Sequence, residues 1–287
     1  MVRAVNIYIS ADMEGVAGVT HPAQCRPSHP DYDRYRRLLT HEINAAVEGA
    51  IAGGAQRIVV NDGHLTMTNI VIEELHPSAE LISGSNKLLA QMEGIDETFD
   101  GTFFVGYHEG DGIGDGVISH TLMSAALRRI VINGVEVDEA GLNARIAGAY
   151  GVPVLLLTGD DCVCAAASRT YPGIHVAPVK RAVDRLAAQH QSVRNARALI
   201  AERATAAVES VATRALRPVL VDGTTRFEIE MRSTAAAHAC LAFPGVERVT
   251  PTTIAIEHDD YLVAFRFFWG LASVALASQD GLFGTGL

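Results

Sequence analysis

Short apolar runs that stop abruptly at polar clusters recur along the first half of the chain. Val5-Asn6-Ile7-Tyr8-Ile9 ends in Ser10-Ala11-Asp12-Met13-Glu14-Gly15. Ile58-Val59-Val60 ends in Asn61-Asp62-Gly63-His64, Gly101 to Gly106 is followed by Tyr107-His108, and Val154 to Leu157 runs into Thr158-Gly159-Asp160-Asp161. Short continuous apolar runs of this kind fit strands buried on both faces of a parallel sheet. Between the first two, residues 33–52 carry Leu38, Leu39, Ile43, Val47 and Ile51 on an approximate helical period, closed by Gly53-Gly54. Shorter helices are expected over 69–75 and 87–92, and a short strand over 79–82. A hairpin over 130–137 turns at Asn133-Gly134, and Asp138-Glu139 opens a helix over 140–150.

Strand, polar turn and helix thus alternate through roughly the first 180 residues. That alternation predicts a mostly parallel sheet with helices on both faces, joined by right-handed crossovers. The character changes after Lys180. Residues 192–215 are Ala/Arg-rich and helical by propensity, and Arg217-Pro218 ends them. Strands over 219–221, 226–231 and 252–256 and helices over 234–242 and 260–277 follow. Phe227, Ile229 and Met231 alternate with Glu228, Glu230 and Arg232, the mark of a sheet with one buried and one wet face. The expectation is an α/β domain over 1–190 with a smaller α+β domain over 191–287. The Gly-rich tail, 281–287, is expected to be loose.

Composition narrows the partners. The formal net charge is −10 and no Lys/Arg block stands out, which argues against nucleic acid or an anionic membrane. The most apolar stretch, 261–277, carries Arg266 and reads as a buried helix, not a membrane span. The N-terminal apolar run is too short for an export signal and meets acidic residues at once, so a cytoplasmic location is expected. Cys25, Cys162, Cys164 and Cys240 form no zinc-knuckle spacing and read as free thiols in a reducing compartment.

Candidate chemistry falls at the strand ends: Asp12 and Glu14, then Asp62 and His64, then His108. His120 follows in a loop and Glu139 at a helix start. Two carboxylates at a strand end are costly to desolvate unless they meet a cation, although they could equally cap a helix. Imidazole nitrogens and carboxylate oxygens gathered at one site suit zinc or another borderline divalent ion. One carboxylate can bridge two such ions, the arrangement used in two-metal hydrolysis. Asp62 could orient His64 or form an Asx turn before Gly63. Asn143, one turn after Glu139, could hydrogen-bond a ligand residue or substrate. Asp160 and Asp161 could bind a substrate amine, but capping the next helix is the simpler role. The acidic, Gly-rich loop Glu109 to Gly116 is expected to border substrate.

The stretch Ser10-Ala11-Asp12-Met13-Glu14-Gly15 is similar to the Ser-x-Asp-x-Glu-Gly signature of the DppA-type family of zinc metallopeptidases, the D-aminopeptidases. Val60-Asn61-Asp62-Gly63-His64, Leu75-His76-Pro77, Leu81-Ile82-Ser83-Gly84, Met92-Glu93-Gly94, Gly106-Tyr107-His108, Val117-Ile118-Ser119-His120, Gly141-Leu142-Asn143-Ala144 and Gly159-Asp160-Asp161 resemble further family motifs in order. The resemblance is dense over the first domain and loose beyond it. It implies two Zn2+ per subunit, with Asp12 bridging and Glu14, His64, His108 and Glu139 completing the two coordination spheres. It also implies His120 as the catalytic histidine, near but not on the metals, acting as base, acid or nucleophile. A small peptide with an N-terminal D-amino acid is the implied substrate, and a toroidal homodecamer the implied assembly. One rival reading keeps the metal site and changes the substrate, a metal-dependent amidohydrolase on a non-peptide amide; a second comes from another class, a peptide-binding component of an uptake system; a third is a purely structural α/β oligomer. The second needs no such ligand cluster.

Overall fold

The computed structural model describes residues 4–213 and 216–278, so the expected loose tail lies outside the described residues. The chain opens with β1 (Val5–Ala11), the long helix α1 (Tyr32–Ala52), β2 (Ala55–Asp62), β3 (Ala79–Ile82) and β4 (Gly101–Tyr107). It continues through β5 (Leu127–Ile132), β6 (Val135–Glu136), α2 (Glu139–Ala149), β7 (Val154–Asp160), α3 (Asp161–Thr170), β8 (His175–Asp184) and β9 (Ala187–His190). The remainder is α4 (Val193–Ser210), β10 (Thr225–Met231), α5 (Thr234–Cys240), β11 (Glu247–Arg248), β12 (Thr253–His258) and α6 (Tyr261–Ala277).

Seven strands form a sheet in the order β3-β2-β1-β4-β7-β8-β9, parallel throughout except for the β8–β9 hairpin. β4 and β7 are buried along their whole length, as continuous apolar strands in the middle of a parallel sheet must be. A second sheet, β11-β12-β10-β5-β6, is antiparallel. Thr225, Phe227, Ile229 and Met231 of β10 point inward in strict alternation. Phe227 stacks on Phe268 of α6 at 5.2 Å between ring centres, and the Tyr261 hydroxyl of α6 donates to the Leu142 carbonyl of α2 at 3.0 Å. That bond ties the two layers together. The antiparallel layer draws on both sides of residue 190, because β5 and β6 pair with β10 while α4 packs against α1 and β8.

Several elements differ from expectation. Residues 69–75 and 87–92 contain only single 3-10 turns, Ile72–Glu74 and Ala90–Met92; extended backbone at Val71 and Leu75 bounds the first, and the second begins at Ala90 in the left-handed region (φ +49°). Residues 219–221 pair with no strand among the described residues. β8 and β9 were not legible: they carry charged residues and Pro178, and β9 is an edge strand.

β1 lies between β2 and β4. The chain leaves β1 toward β2 and β3 on one side and returns to β4 on the other, so the strand order reverses at the β1–β4 boundary. Open α/β sheets gather ligands at the carboxyl ends of the strands at such a point.

Candidate metal centre

Asp12 and Glu14 follow β1 on backbone held tightly against the end of β4. The Asp12 amide donates to Val105 O at 2.8 Å and the Gly15 amide to Gly106 O at 2.7 Å. Two glycines permit this approach. A Cβ on Gly15 would lie 2.1 Å from Tyr107 O, and one on Gly106 (φ +76°) would lie 2.1 Å from Asp12 O. The loop beyond is strapped from two directions. The buried Lys180 of β8 donates its Nζ to the carbonyls of Glu14, Val16 (3.2 Å) and Val19 (2.7 Å), and Glu42 of α1 accepts the Ala17 amide at 2.8 Å. Burial pulls the Lys180 ammonium down to about 8 and pushes the Glu42 carboxyl up to about 7.

His64 sits in the turn after β2, and Asp62 shapes that turn. The Asp62 carboxylate accepts the Asn69 and Ile70 amides and the Asn69 side-chain amide, which also donates to His64 O. His108 follows β4. Glu139 opens α2, whose cap Asp138 accepts the Gly141 amide at 2.7 Å. Behind Glu139, its two oxygens accept the Leu122 amide and the Gln91 side chain, and Asn143 donates to Gln91 Oε1 (2.6 Å) and the Tyr107 hydroxyl (2.8 Å).

These five side chains converge. Asp12, Glu14, His64, His108 and Glu139 are all under one-tenth exposed. His64 Nδ1 lies 3.1 Å from Asp12 Oδ1 and 2.9 Å from Glu14 Oε2. His108 Nε2 lies 3.3 Å from Asp12 Oδ2 and 3.4 Å from Glu139 Oε1. Asp12 therefore stands between two halves, one oxygen turned to each. The far nitrogens set the tautomers: His64 Nε2–H donates to Cys25 O at 2.9 Å, and His108 Nδ1–H to Glu109 O at 2.9 Å. Each ring thus turns its other nitrogen on the carboxylates, the usual arrangement behind a ligating histidine.

Asp12 Oδ2, Glu14 Oε2 and His108 Nε2 are buried, and although His64 Nδ1 lies 2.9 Å from Glu14 Oε2 and His108 Nε2 lies 3.3 Å from Asp12 Oδ2, none of the three makes a well-oriented hydrogen bond. Such atoms are costly unless a cation meets them. Zinc bonds of 2.0–2.1 Å in a tetrahedron put neighbouring donor atoms about 3.3 Å apart, close to the separations around His108. The donor set fits a pair of divalent ions.

Charge points the same way. Burial works against the charged form of both histidines, yet Glu14, Glu139 and Asp12 outweigh it and hold both imidazoles well above their usual range. Burial likewise opposes charge on Asp12 and Glu14, and the facing histidines hold both below the usual carboxylate range. The cluster demands positive charge at its centre, which protons supply without metal.

His120 stacks on His108 with ring centres 4.2 Å apart and planes 7° from parallel. Its Nδ1–H donates to Ile118 O at 2.8 Å, leaving Nε2 without that proton. A ring nitrogen of His120 lies within 4.8 Å of donor atoms of His108 and Glu139. The centre opens into a cavity of about 710 Å³ whose walls include Leu65, Met67, Ile118, Met123, Trp269 and Arg185. The loop Glu109 to Gly116 does not line it. Glu109 is instead buried and turned inward, accepting the Gly116 amide at 3.1 Å. Asp160 and Asp161 are structural: Asp160 caps α3 through the Val163 amide and accepts the Val117 amide, and Asp161 accepts the Ala182 amide. Gln91 and Lys180 were missed by sequence reasoning. Only their complete burial marks them, and burial of a lone polar residue has no local signature.

A buried carboxylate–histidine cluster at the carboxyl edge of a parallel sheet, opening into a cavity of mixed apolar and polar lining, defines a metal-dependent hydrolase of the α/β class. The chain belongs to the D-aminopeptidase family, whose sequence profile matches residues 5–270. It is 33% identical over 276 residues to the D-aminopeptidase of Bacillus subtilis (strain 168), covering 96% of this chain and 99% of that one. Its fold is similar to that of the Zn-dependent D-aminopeptidase DppA from Bacillus subtilis, a self-compartmentalizing protease. That match has a TM-score of 0.92 and 32% identity, and covers 96% of this chain and 100% of the other. The mostly parallel α/β fold and the peptidase class expected from the sequence are both borne out.

Proposed function

We propose that this enzyme is a zinc-dependent aminopeptidase that hydrolyses short peptides with an N-terminal D-amino acid, using a two-metal centre and His120. The observation that carries the reading is the set of buried donor atoms, several without a well-oriented hydrogen bond, divided into two halves about Asp12. Asp12 would serve both halves, with Glu14 and His64 holding one ion and His108 and Glu139 the other. Zinc held there would supply Lewis acidity to the scissile carbonyl and lower the pKa of water.

The chain's own residues do the rest. The carbonyls of Cys25 and Glu109 keep His64 and His108 in the ligating tautomer. Gln91 and Asn143 orient Glu139. His120, anchored through Nδ1–H, presents a bare Nε2 that can take a proton during attack and return it to the leaving amine. The cavity falls in the size range of small-molecule sites and has room for a short peptide between walls that mix apolar side chains with Arg26, Lys87 and Arg185.

The similarity to a self-compartmentalizing protease supports a homo-oligomer, with the homodecamer as the family-level expectation. A cytoplasmic location is proposed. No helix among the described residues is long and apolar enough to cross a membrane.

The test is metal content per chain of gently purified protein, paired with hydrolysis of D-Ala and L-Ala p-nitroanilides and of D-Ala-D-Ala, with and without chelator. About two zinc ions per chain and chelator-sensitive cleavage favouring the D-substrate are expected. Zinc without cleavage of any of these peptides would favour the non-peptide amide reading. Absence of metal after zinc addition would overturn the metal centre.

A further inference from the structure

Cys25 stands at the centre's edge without any assigned role. It closes a 3-10 turn, Pro22–Cys25, that is itself firmly held. His21 caps the turn by accepting the Ala23 amide, and Gln24 accepts the Thr20 and His21 amides and donates to the Tyr35 hydroxyl at 2.8 Å. The residue is 1% exposed, forms no disulfide and contributes to the cavity wall. Its carbonyl already receives His64 Nε2–H.

Cys25 Sγ, a Glu14 carboxylate oxygen and a ring nitrogen of His64 all lie within 4.8 Å of one another. Glu14 Oε2 is buried and makes no well-oriented hydrogen bond although His64 Nδ1 lies 2.9 Å away, a sign, separate from the thiol, that a positive charge belongs there. The His108 half has a different third neighbour: the group near His108 and Glu139 is completed by His120, not by sulfur.

We propose that the Cys25 thiolate is a fourth protein ligand of the metal ion held by Asp12, Glu14 and His64. The assignment rests on the two-metal reading above. On binding, the S–H proton leaves to bulk buffer and a sulfur–metal bond takes its place, with no change of oxidation state. The two halves then differ in kind. The Glu14–His64 half has four protein ligands and is closed, as structural zinc sites are. The His108–Glu139 half has three and keeps a position open beside His120, as catalytic sites do. Substrate therefore engages the His108 half, and the Glu14 half fixes Asp12 and supplies charge.

The experiment is the near-ultraviolet absorption spectrum of the full-length protein loaded with Co2+ in place of zinc, with bound cobalt counted. An intense thiolate-to-cobalt charge-transfer band is expected in the parent. It should vanish in Cys25→Ser and persist in Cys162→Ser. Cys25→Ser should also weaken metal binding by on the order of tenfold or more, since even outer partners of ligands are worth that much. If Cys25→Ser fails to fold, X-ray absorption of the zinc-loaded parent decides instead, through a sulfur neighbour at about 2.3 Å. Cobalt bound without the band, a band that survives in Cys25→Ser, or zinc without a sulfur neighbour each overturns the Cys25 assignment and leaves the two-metal reading standing. Failure to bind cobalt or zinc at all overturns both.

Discussion

His120 lies flat on His108, its ring 4.2 Å away and nearly parallel. The stack and the bond from Nδ1–H to Ile118 O hold His120 over His108 without placing it between the carboxylates.

Removal of His120 should therefore spare the centre and stop the chemistry. His120→Ala is expected to keep its metal content and to lose on the order of 10²–10⁴-fold in kcat, the usual worth of a positioned acid–base group. Metal analysis beside steady-state kinetics checks this. Turnover within a few-fold of the parent would remove His120 from the mechanism.

The titration of the cluster sets how metal and pH act together. The carboxylates raise the pKa values of His64 and His108, so the stability from their protonated forms is complete below the ordinary imidazole value and is lost as pH rises through the raised ones. Asp12 and Glu14 are depressed, so their contribution is present above the ordinary carboxylate range and is lost as pH falls toward their lowered values. Metal-free protein should thus be most stable on the mildly acidic side and weaken with alkalinity, while bound metal replaces the protons. The gap in Tm between zinc-loaded and chelator-treated protein should widen from about pH 5.5 to about pH 8.5. A gap that narrows over this range would contradict the protonation pattern.

Lys180 reaches across 166 residues to the carbonyl of Glu14. Lys180→Met leaves three buried carbonyls without their donor and is expected to cost about 3 kcal/mol or more. Because those carbonyls belong to the loop that carries Glu14, metal affinity should fall with stability. Thermal unfolding and zinc titration of the variant measure both. A variant that loses stability but binds zinc as tightly as the parent would make the strap purely structural.

Gly106 tests the contact between the ends of β1 and β4. Gly106→Ala forces a side chain into a left-handed backbone position and against Asp12 O. A loss of several kcal/mol, or a shift of Asp12 that shows as reduced metal content, is expected, since overpacking with strain costs about 1–3 kcal/mol and each backbone strain as much again. Parent-like unfolding and metal content would show that the strands separate freely there.

The sequence by itself determined much of this protein. Apolar runs with no alternation marked β1, β2, β4 and β7, because a strand buried on both faces can carry little else. Polar residues at the ends of those runs marked Asp12, Glu14, His64 and His108, since the carboxyl edge is the one place where such strands meet solvent or ligand. The alternation of Phe227, Ile229 and Met231 marked the one-faced sheet. What the tertiary structure alone decided was which of these residues meet. Asp12 faces both histidines only because β1 lies between β2 and β4, and strand order is not written in any local pattern. The carbonyls that set the histidine tautomers, the amides behind Glu139 and the Lys180 strap come from other elements, in the last case from the far side of the sheet. Sequence periodicity reports which face of an element is buried. It carries no record of the partner buried against it, and the chemistry of this centre lies in those partners.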